Sequence, residues 1–258
     1  MRFSRELARA SLLAALATVS LNSQAAPDEI QVYTEEMDEP GDFGLELHVN
    51  YVPKGRREAT YDGEMASNHR LQVTPEFSYG ISKTLEAGLY LPVAMSTDGN
   101  LYGNGVRLRL KYIAPRADGD HFFWGLNGEF GSSARRVSES ALTLEFRPIM
   151  GYRDENWLVS FNPILDADLS TNVSRKPNFE PGLKVTHRVG EGKQAGFEYY
   201  GEYGPVGHLL QGDARTHYLY GVMDIDLHGF DINFGIGRGF RSAEDQWVAK
   251  AIIAFPLN

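Results

Sequence analysis

Between Val106 and Tyr112 the chain reads Val-Arg-Leu-Arg-Leu-Lys-Tyr, apolar and cationic by turns. A helix would scatter the three cations around its surface. A strand puts Arg107, Arg109 and Lys111 on one face and Val106, Leu108, Leu110 and Tyr112 on the other. The same period of two runs through Phe43 to Tyr51, Leu71 to Tyr79 and Leu85 to Val93. It continues near 121–131, 141–152, 157–167, 178–189, 194–204, 217–226, 230–239 and 247–256. Such alternation marks half-buried strands. The pattern predicts twelve strands of about ten residues each, the length that crosses a bilayer when tilted. No helical periodicity follows residue 26.

The connections add a second regularity. Links near 81–84, 115–120, 153–156, 190–193 and 227–229 are short, and those near 53–69, 95–104, 132–140, 168–177, 205–216 and 240–246 are longer. Strict alternation of short and long is the habit of a transmembrane β-barrel, with tight periplasmic turns and longer outer loops. With an even strand count, both ends of the barrel fall on the periplasmic side.

Parity assigns the polar face. It carries Glu46, Glu76, Glu86, Glu129, Glu145, Asp166, Glu180, Glu198, Glu202, Asp224 and Asp231 beside Arg107, Arg109, Lys111, Arg147, Lys184, Arg188 and Lys250. Charges inward and apolar side chains outward invert the plan of a small soluble barrel, whose interior is packed with side chains. A soluble sheet would need a second layer over its apolar face. No helix can supply one, although a second sheet in a sandwich or lipocalin-like barrel could. Tyr79, Tyr112, Trp124, Tyr152 and Trp157 near the short turns, and Tyr51, Phe130, Tyr203 and Trp247 near the long loops, suggest two interfacial aromatic rings. Plain β-propensity of aromatics gives the same enrichment. Pro75, Pro92, Pro148, Pro163 and Pro181 fall inside predicted strands, where proline cannot donate to the ladder. Pro148 and Pro163 flank the 154–156 turn nearly symmetrically, so a shared kink is expected there.

The N-terminus sets the compartment. Arg2, Arg5 and Arg9 precede an apolar stretch from Ala10 to Leu21, and Ser23-Gln24-Ala25 offers small residues for cleavage. That order is a secretory signal, expected over residues 1–25. An exported chain with no Cys suits a Gram-negative envelope better than a disulfide-stapled secreted domain. The absence of Cys also excludes thiolate metal sites and Cys nucleophiles. A net charge of −9 argues against nucleic acid as a partner. Residues 26–42 hold seven acids and no base and read as a solvated acidic periplasmic tail ahead of a barrel over 43–258. The cationic stripe offers such a tail a reason to enter the periplasmic mouth.

The hairpin GISKTLEAGLYLP, Gly80 to Pro92, followed by GVRLRLKY, Gly105 to Tyr112, resembles the outer-membrane barrels grouped with the putative channel of the MetA pathway of phenol degradation. EFRPIMGYRDENW, Glu145 to Trp157, and FGIGRGF, Phe234 to Phe240, fit the same style. The resemblance implies an outer-membrane transport channel and attaches no catalytic residue or cofactor. Expected partners are outer-membrane lipid, the barrel-assembly machinery and a small solute. The chain departs from the usual aromatic end read by that machinery, because Phe255 is followed by Pro256, Leu257 and Asn258.

Twelve strands lie between barrels filled by side chains and wide porins, so a narrow, charged lumen is expected. Its candidate selectivity residues are Arg107, Arg109, Lys111, Glu129, Glu145, Arg147, Lys184 and Glu198. Hairpin pairing should bring Arg107 near Glu129 and Lys184 near Glu198. Two readings of such pairs remain open. They form a ladder that orients a polar or anionic solute, or they neutralise one another and plug the barrel, since charges in a narrow interior must be paired. An outer-membrane lipid-acting enzyme would need Ser and His in reach of each other. Ser78 and Ser160 have opposite parity to His187, and His48 has no evident Ser beside it. A structural or adhesion barrel acting through its loops is the third class. No catalytic, metal or cofactor motif is present.

Overall fold

In the computed structural model of the protein, residues 29–97, 99–170, 175–227 and 229–257 are described; the expected signal segment 1–25 lies outside them. The alternating segments form strands β1 (Phe43–Lys54), β2 (Leu71–Ser82), β3 (Leu85–Tyr90), β4 (Val93–Met95), β5 (Leu101–Gly103), β6 (Gly105–Ile113) and β7 (Phe122–Ser133). They continue as β8 (Leu142–Arg153), β9 (Trp157–Asp168), β10 (Asn178–Gly190), β11 (Lys193–Glu202), β12 (Thr216–Leu227), β13 (Phe230–Arg241) and β14 (Trp247–Pro256). β4 prolongs β3 beyond Pro92, and β5 prolongs β6 across Asn104, so the fourteen segments make twelve staves. Every pairing is antiparallel, and β1 pairs with both β2 and β14, which closes the sheet on itself. This is a closed twelve-stranded all-β barrel. A single 3₁₀ turn at Gly212–Ala214 is the one helical element among the described residues.

The two faces follow the sequence parity. Leu108, Leu110, Phe122, Trp124, Phe130, Phe146, Phe161 and Ile236 stand exposed on the outer wall. Thr74, Glu76, Asn127, Glu129, Arg147, Ser160, Asn162, Glu198 and Lys250 are buried on the inner one. An apolar belt of this extent is far larger than monomers leave in water. No second layer covers it among the described residues, and the sheet closes on itself, which removes the sandwich alternative. Outward aromatics occupy both ends: Tyr79, Trp124 and Trp157 toward the short turns, Tyr51, Phe130 and Trp247 toward the long loops.

Loop lengths depart from strict alternation. The β4–β5 link shrinks to 96–100, because the hairpin extension pairs Val93 with Gly103. The β6–β7 turn lengthens to 114–121. Glu191-Gly192 makes a two-residue hairpin, with Gly192 at φ +60° supplying the left-handed backbone the turn needs. At the opposite end the 55–70 loop is fastened down. Arg56 reaches Glu64 at 2.5 Å and Glu244 at 2.6 Å, and Ser67 donates to Asp245.

The prolines fall where the ladder pauses. Pro92 separates β3 from β4. Pro163 faces Pro181 directly across β9 and β10, where neither needs to donate to the other. On their far sides the pairing lapses. The β8–β9 ladder has no pairs between Phe146↔Leu165 and Met150↔Phe161, a gap that contains Pro148 and Pro163. The β10–β11 ladder begins only at Gly182, one residue after Pro181. The shared kink about the 154–156 turn is thus a run of missing donors spread over three staves.

Candidate solute pathway and the segment that fills it

The reading of residues 26–42 as a solvated tail does not hold for the described part. The chain from Glu29 to Asp42 lies inside the barrel, with Glu29 toward the long loops and Asp42 at the short-turn end. Glu29, Ile30, Val32, Tyr33 and Thr34 are all buried, with Tyr33 only 2% exposed. Its acids are not solvated because the wall supplies cations, and its apolar residues find small clusters. Ile30 packs with Val52, Tyr220, Val222 and Val248, and Tyr33 with Ile113, Phe123, Ile149 and Leu158.

Tyr33 is the centre of this arrangement. Its hydroxyl lies 2.5 Å from that of Tyr90 and donates to Glu129 at 3.0 Å. Its backbone N–H donates to Asn162 Oδ1 at 2.6 Å, and its carbonyl accepts from Ser160 at 2.6 Å and from Asn162 Nδ2 at 3.1 Å. The side chains of Arg147, Lys111 and Arg109 place their charges 4.1, 5.1 and 5.6 Å from its ring centroid. Three cations about one ring are a strong clamp in a desolvated setting.

The remaining contacts run along the segment. Glu35 meets Arg153 at 2.7 Å, and Glu36 meets the same guanidinium at 2.7 Å. Lys111 donates to the Glu36 carbonyl at 2.5 Å. Asp38 accepts from Ser78 at 2.5 Å and donates its N–H to Glu86 at 2.6 Å. At the mouth Gly41 and Gly80 are joined by a backbone hydrogen bond of 2.8 Å. A Cβ on Gly80 would collide with the Glu39 carbonyl, so the wall is bare there where the segment enters. Farther in, Lys250 donates to the Ile30 carbonyl at 2.9 Å.

All eight sequence-chosen residues face inward, in two groups. Arg109 bridges Glu76 at 2.7 Å and Glu86 at 2.6 Å. Arg147 binds Glu145 at 2.7 Å and the Gln31 carbonyl at 3.2 Å. Arg107 sits opposite Gly131, and Arg109, not Arg107, is paired with Glu129. Arg107 nevertheless leans to Glu129 at 3.3 Å, because Arg109 is turned toward β2 and β3. The second group matches its expectation directly. Lys184 is opposite Glu198 in register, 3.5 Å from it and 2.8 Å from Asp224. Glu198 is also held by Lys250, which is itself 4% exposed. Lys250 and Tyr33 were not singled out from sequence. Lys250 carried a signal in its inward parity; Tyr33 lay hidden among acids.

Two cavities remain in the lumen. One of about 160 Å³, toward the long loops, is lined by Glu29, Arg107, Asp166, Glu180, Glu202 and Tyr220, among others. The other, of about 350 Å³, is lined by Glu36, Glu46, Lys184, Arg188, Asp224 and Asp231, among others. Gln31 borders both, so the buried segment stands between them. Glu46, His48 and Glu76 bring one donor atom each within 4.8 Å of one another, the sole such group among the described residues. His48 lies 3.0 Å from Glu76, whose other oxygen Arg109 holds. The Ser and His side chains weighed for lipid chemistry do not meet. Ser160 is bound to the Tyr33 carbonyl and Ser78 to Asp38, while His187 meets Trp157 edge-to-face, with ring centroids 4.4 Å apart.

The fold is a closed twelve-stranded β-barrel, and comparison with solved structures finds the same fold in outer-membrane proteins. An outer membrane channel from Pseudomonas putida F1 superposes with a TM-score of 0.59 at 11% identity, covering 88% of this chain and 99% of that one. The KdgM porin superposes with a TM-score of 0.53 at 7% identity, covering 83% and 99%. No family model and no curated protein sequence matches the chain.

Proposed function

We propose that the protein is a narrow channel of the Gram-negative outer membrane for small polar or charged solutes, and not an enzyme. Residues 29–42 close it in the conformation described here. The observation that carries this reading is the inverted barrel itself, apolar outside and charged within, whose lumen is interrupted by a segment continuous with the wall only at Phe43. Such a segment can leave without unfolding the barrel. The fold shared with a channel and a porin supports the same reading. On this view the expected ladder residues have divided roles. Arg107, Arg109, Lys111 and Arg147 seat the segment, Glu129 and Glu145 balance them, and Lys184 and Glu198 set the field of the inner cavity.

Reconstitution into planar bilayers tests this directly. Discrete conductance steps are expected from the full chain, larger or longer-lived when residues 29–42 are deleted. A preparation that shows heat-modifiable gel mobility yet conducts in neither form would overturn the channel reading.

A further inference from the structure

The cationic stripe on β6 points toward anions, but its charges are already taken. The structure points elsewhere once partners are counted at the outer cavity. Glu129 on β7 is directly opposite Glu145 on β8, and Glu145 directly opposite Asp166 on β9. The row continues inward-facing on the next two staves with Glu180 and Glu202, each two residues beyond the paired Gly182 and Tyr200. Like charges directly opposite one another on a sheet are destabilising unless something balances them. Arg147 holds Glu145 at 2.7 Å and Arg107 holds Glu129 at 3.3 Å. Glu29 of the inserted segment draws on the same two guanidiniums, at 3.5 and 3.6 Å. Two cations therefore serve three carboxylates, while Asp166, Glu180 and Glu202 make no ion pair among the described residues.

A second observation concerns hydrogen bonds: Glu202 has Thr216, but two other carboxylates of the group are short of donors. Glu29 is 7% exposed, yet neither of its carboxylate oxygens receives a hydrogen bond. The buried Oδ1 of Asp166 is without one as well. Both residues line the outer cavity with Glu180 and Glu202. Burying an ionised carboxylate without a donor is costly. A wall with this deficit draws a mobile positive charge to complete it. The rest of the wall suits one: Tyr200, Tyr218 and Tyr220 also border the cavity, and their rings attract ammonium groups. Rings of carboxylates at a constriction are the ordinary device by which pores admit cations and turn anions away.

We propose that the outer cavity makes this a cation-selective channel whose solutes are small cations, ammonium-bearing molecules included. This rests on the channel reading above. The acidic row Asp166, Glu180 and Glu202 is the selectivity element, and the β6 stripe is a seat for the inserted segment.

The test is the zero-current potential of the full-length channel across a tenfold KCl gradient. A potassium-to-chloride permeability ratio several-fold above one is expected. The same excess is expected for methylammonium over chloride when methylammonium chloride replaces KCl. The variant D166N/E180Q/E202Q should bring both ratios close to one while keeping its conductance and its heat-modifiable mobility. Should that variant not fold, the single change Glu180→Gln is expected to lower the ratio part of the way. A channel that conducts with a ratio at or below one, or whose ratio the substitutions leave unmoved, overturns the proposal. Absence of any conductance instead overturns the channel reading on which it rests.

Discussion

The hydroxyl of Tyr33 sits 2.5 Å from that of Tyr90, and so joins the inserted segment to the inner wall of β3 near the middle of the lumen. Its ring is at the same time 4.1 Å from the Arg147 guanidinium of β8, three staves farther round the barrel. Tyr33→Ala removes both attachments and an aromatic body buried among Ile113, Phe123 and Ile149. Loss of a buried aromatic costs roughly 3 kcal/mol, about a hundredfold in the equilibrium between seated and released segment. The expected outcome is a marked rise in open time in single-channel records. Residues 29–42 should also be cleaved by protease added on the short-turn side of proteoliposomes. Unchanged records and unchanged cleavage would show that the seat lies elsewhere.

Gly80 tests the entrance. Any side chain there meets the Glu39 carbonyl, whereas valine otherwise suits a strand. Gly80→Val should therefore unseat the segment at the mouth and raise conductance, with barrel stability in urea little altered. A variant as closed as the parent would contradict this.

Arg109 is a structural cation. It is the shared partner of Glu76 and Glu86 in a dry part of the wall. Arg109→Met removes the cation shared by two buried carboxylates, which keep His48 and the Asp38 N–H, and is expected to cost about 3 kcal/mol, the lower end for removal of one member of a buried ion pair. Arg109→Lys should recover part of this, since one nitrogen, Nη2, meets both acids and an ammonium has donors for two but a different reach. Urea unfolding followed by gel mobility measures both. A loss below about 1 kcal/mol, the worth of an exposed pair, would place Arg109 in water.

The loop over the outer end carries a pH response. Burial pushes the Glu64 carboxyl up, but hydrogen bonds from Arg56 and Thr60 outweigh it and hold the group below its ordinary value of 4.5. A depressed value means that the contact stabilises the folded loop above that range and is lost as pH falls through the lowered value. Amide exchange across 55–70, corrected for the intrinsic rate, should stay protected at pH 7 and weaken as pH falls below 4.5 toward the lowered value. Glu64→Gln should show the loosened pattern at pH 7.

The staves were readable because a barrel in lipid has two solvents. Every second residue faces lipid, and the others face the lumen, so Val106 to Tyr112 shows its environment residue by residue. Register was less accessible. Sequence placed Arg107 against Glu129, but the β6–β7 ladder begins at Ile113↔Gly125, leaving 122–124 beyond it, and the true opposite number is Arg109. The contact survived because an arginine side chain spans the offset. The inserted segment was read as solvated since nothing local distinguishes a run of acids facing water from one facing cations. Only the closed ring brings Arg147, Arg153 and Lys250, all distant in sequence, around Tyr33, Glu35 and Ile30. The prolines were visible as anomalies, yet their alignment across β8, β9 and β10 required the register.

The inserted segment leads straight into β1, the stave that closes the ring between β2 and β14. It therefore behaves as a ligand on a very short tether. A tether of this kind fixes an effective concentration in the millimolar range that dilution cannot lower. Any solute that shares its contacts competes against that standing concentration. Scarce solutes cannot displace it by mass action alone, so the resting state of the barrel is set by residues 29–42 and not by what surrounds the cell.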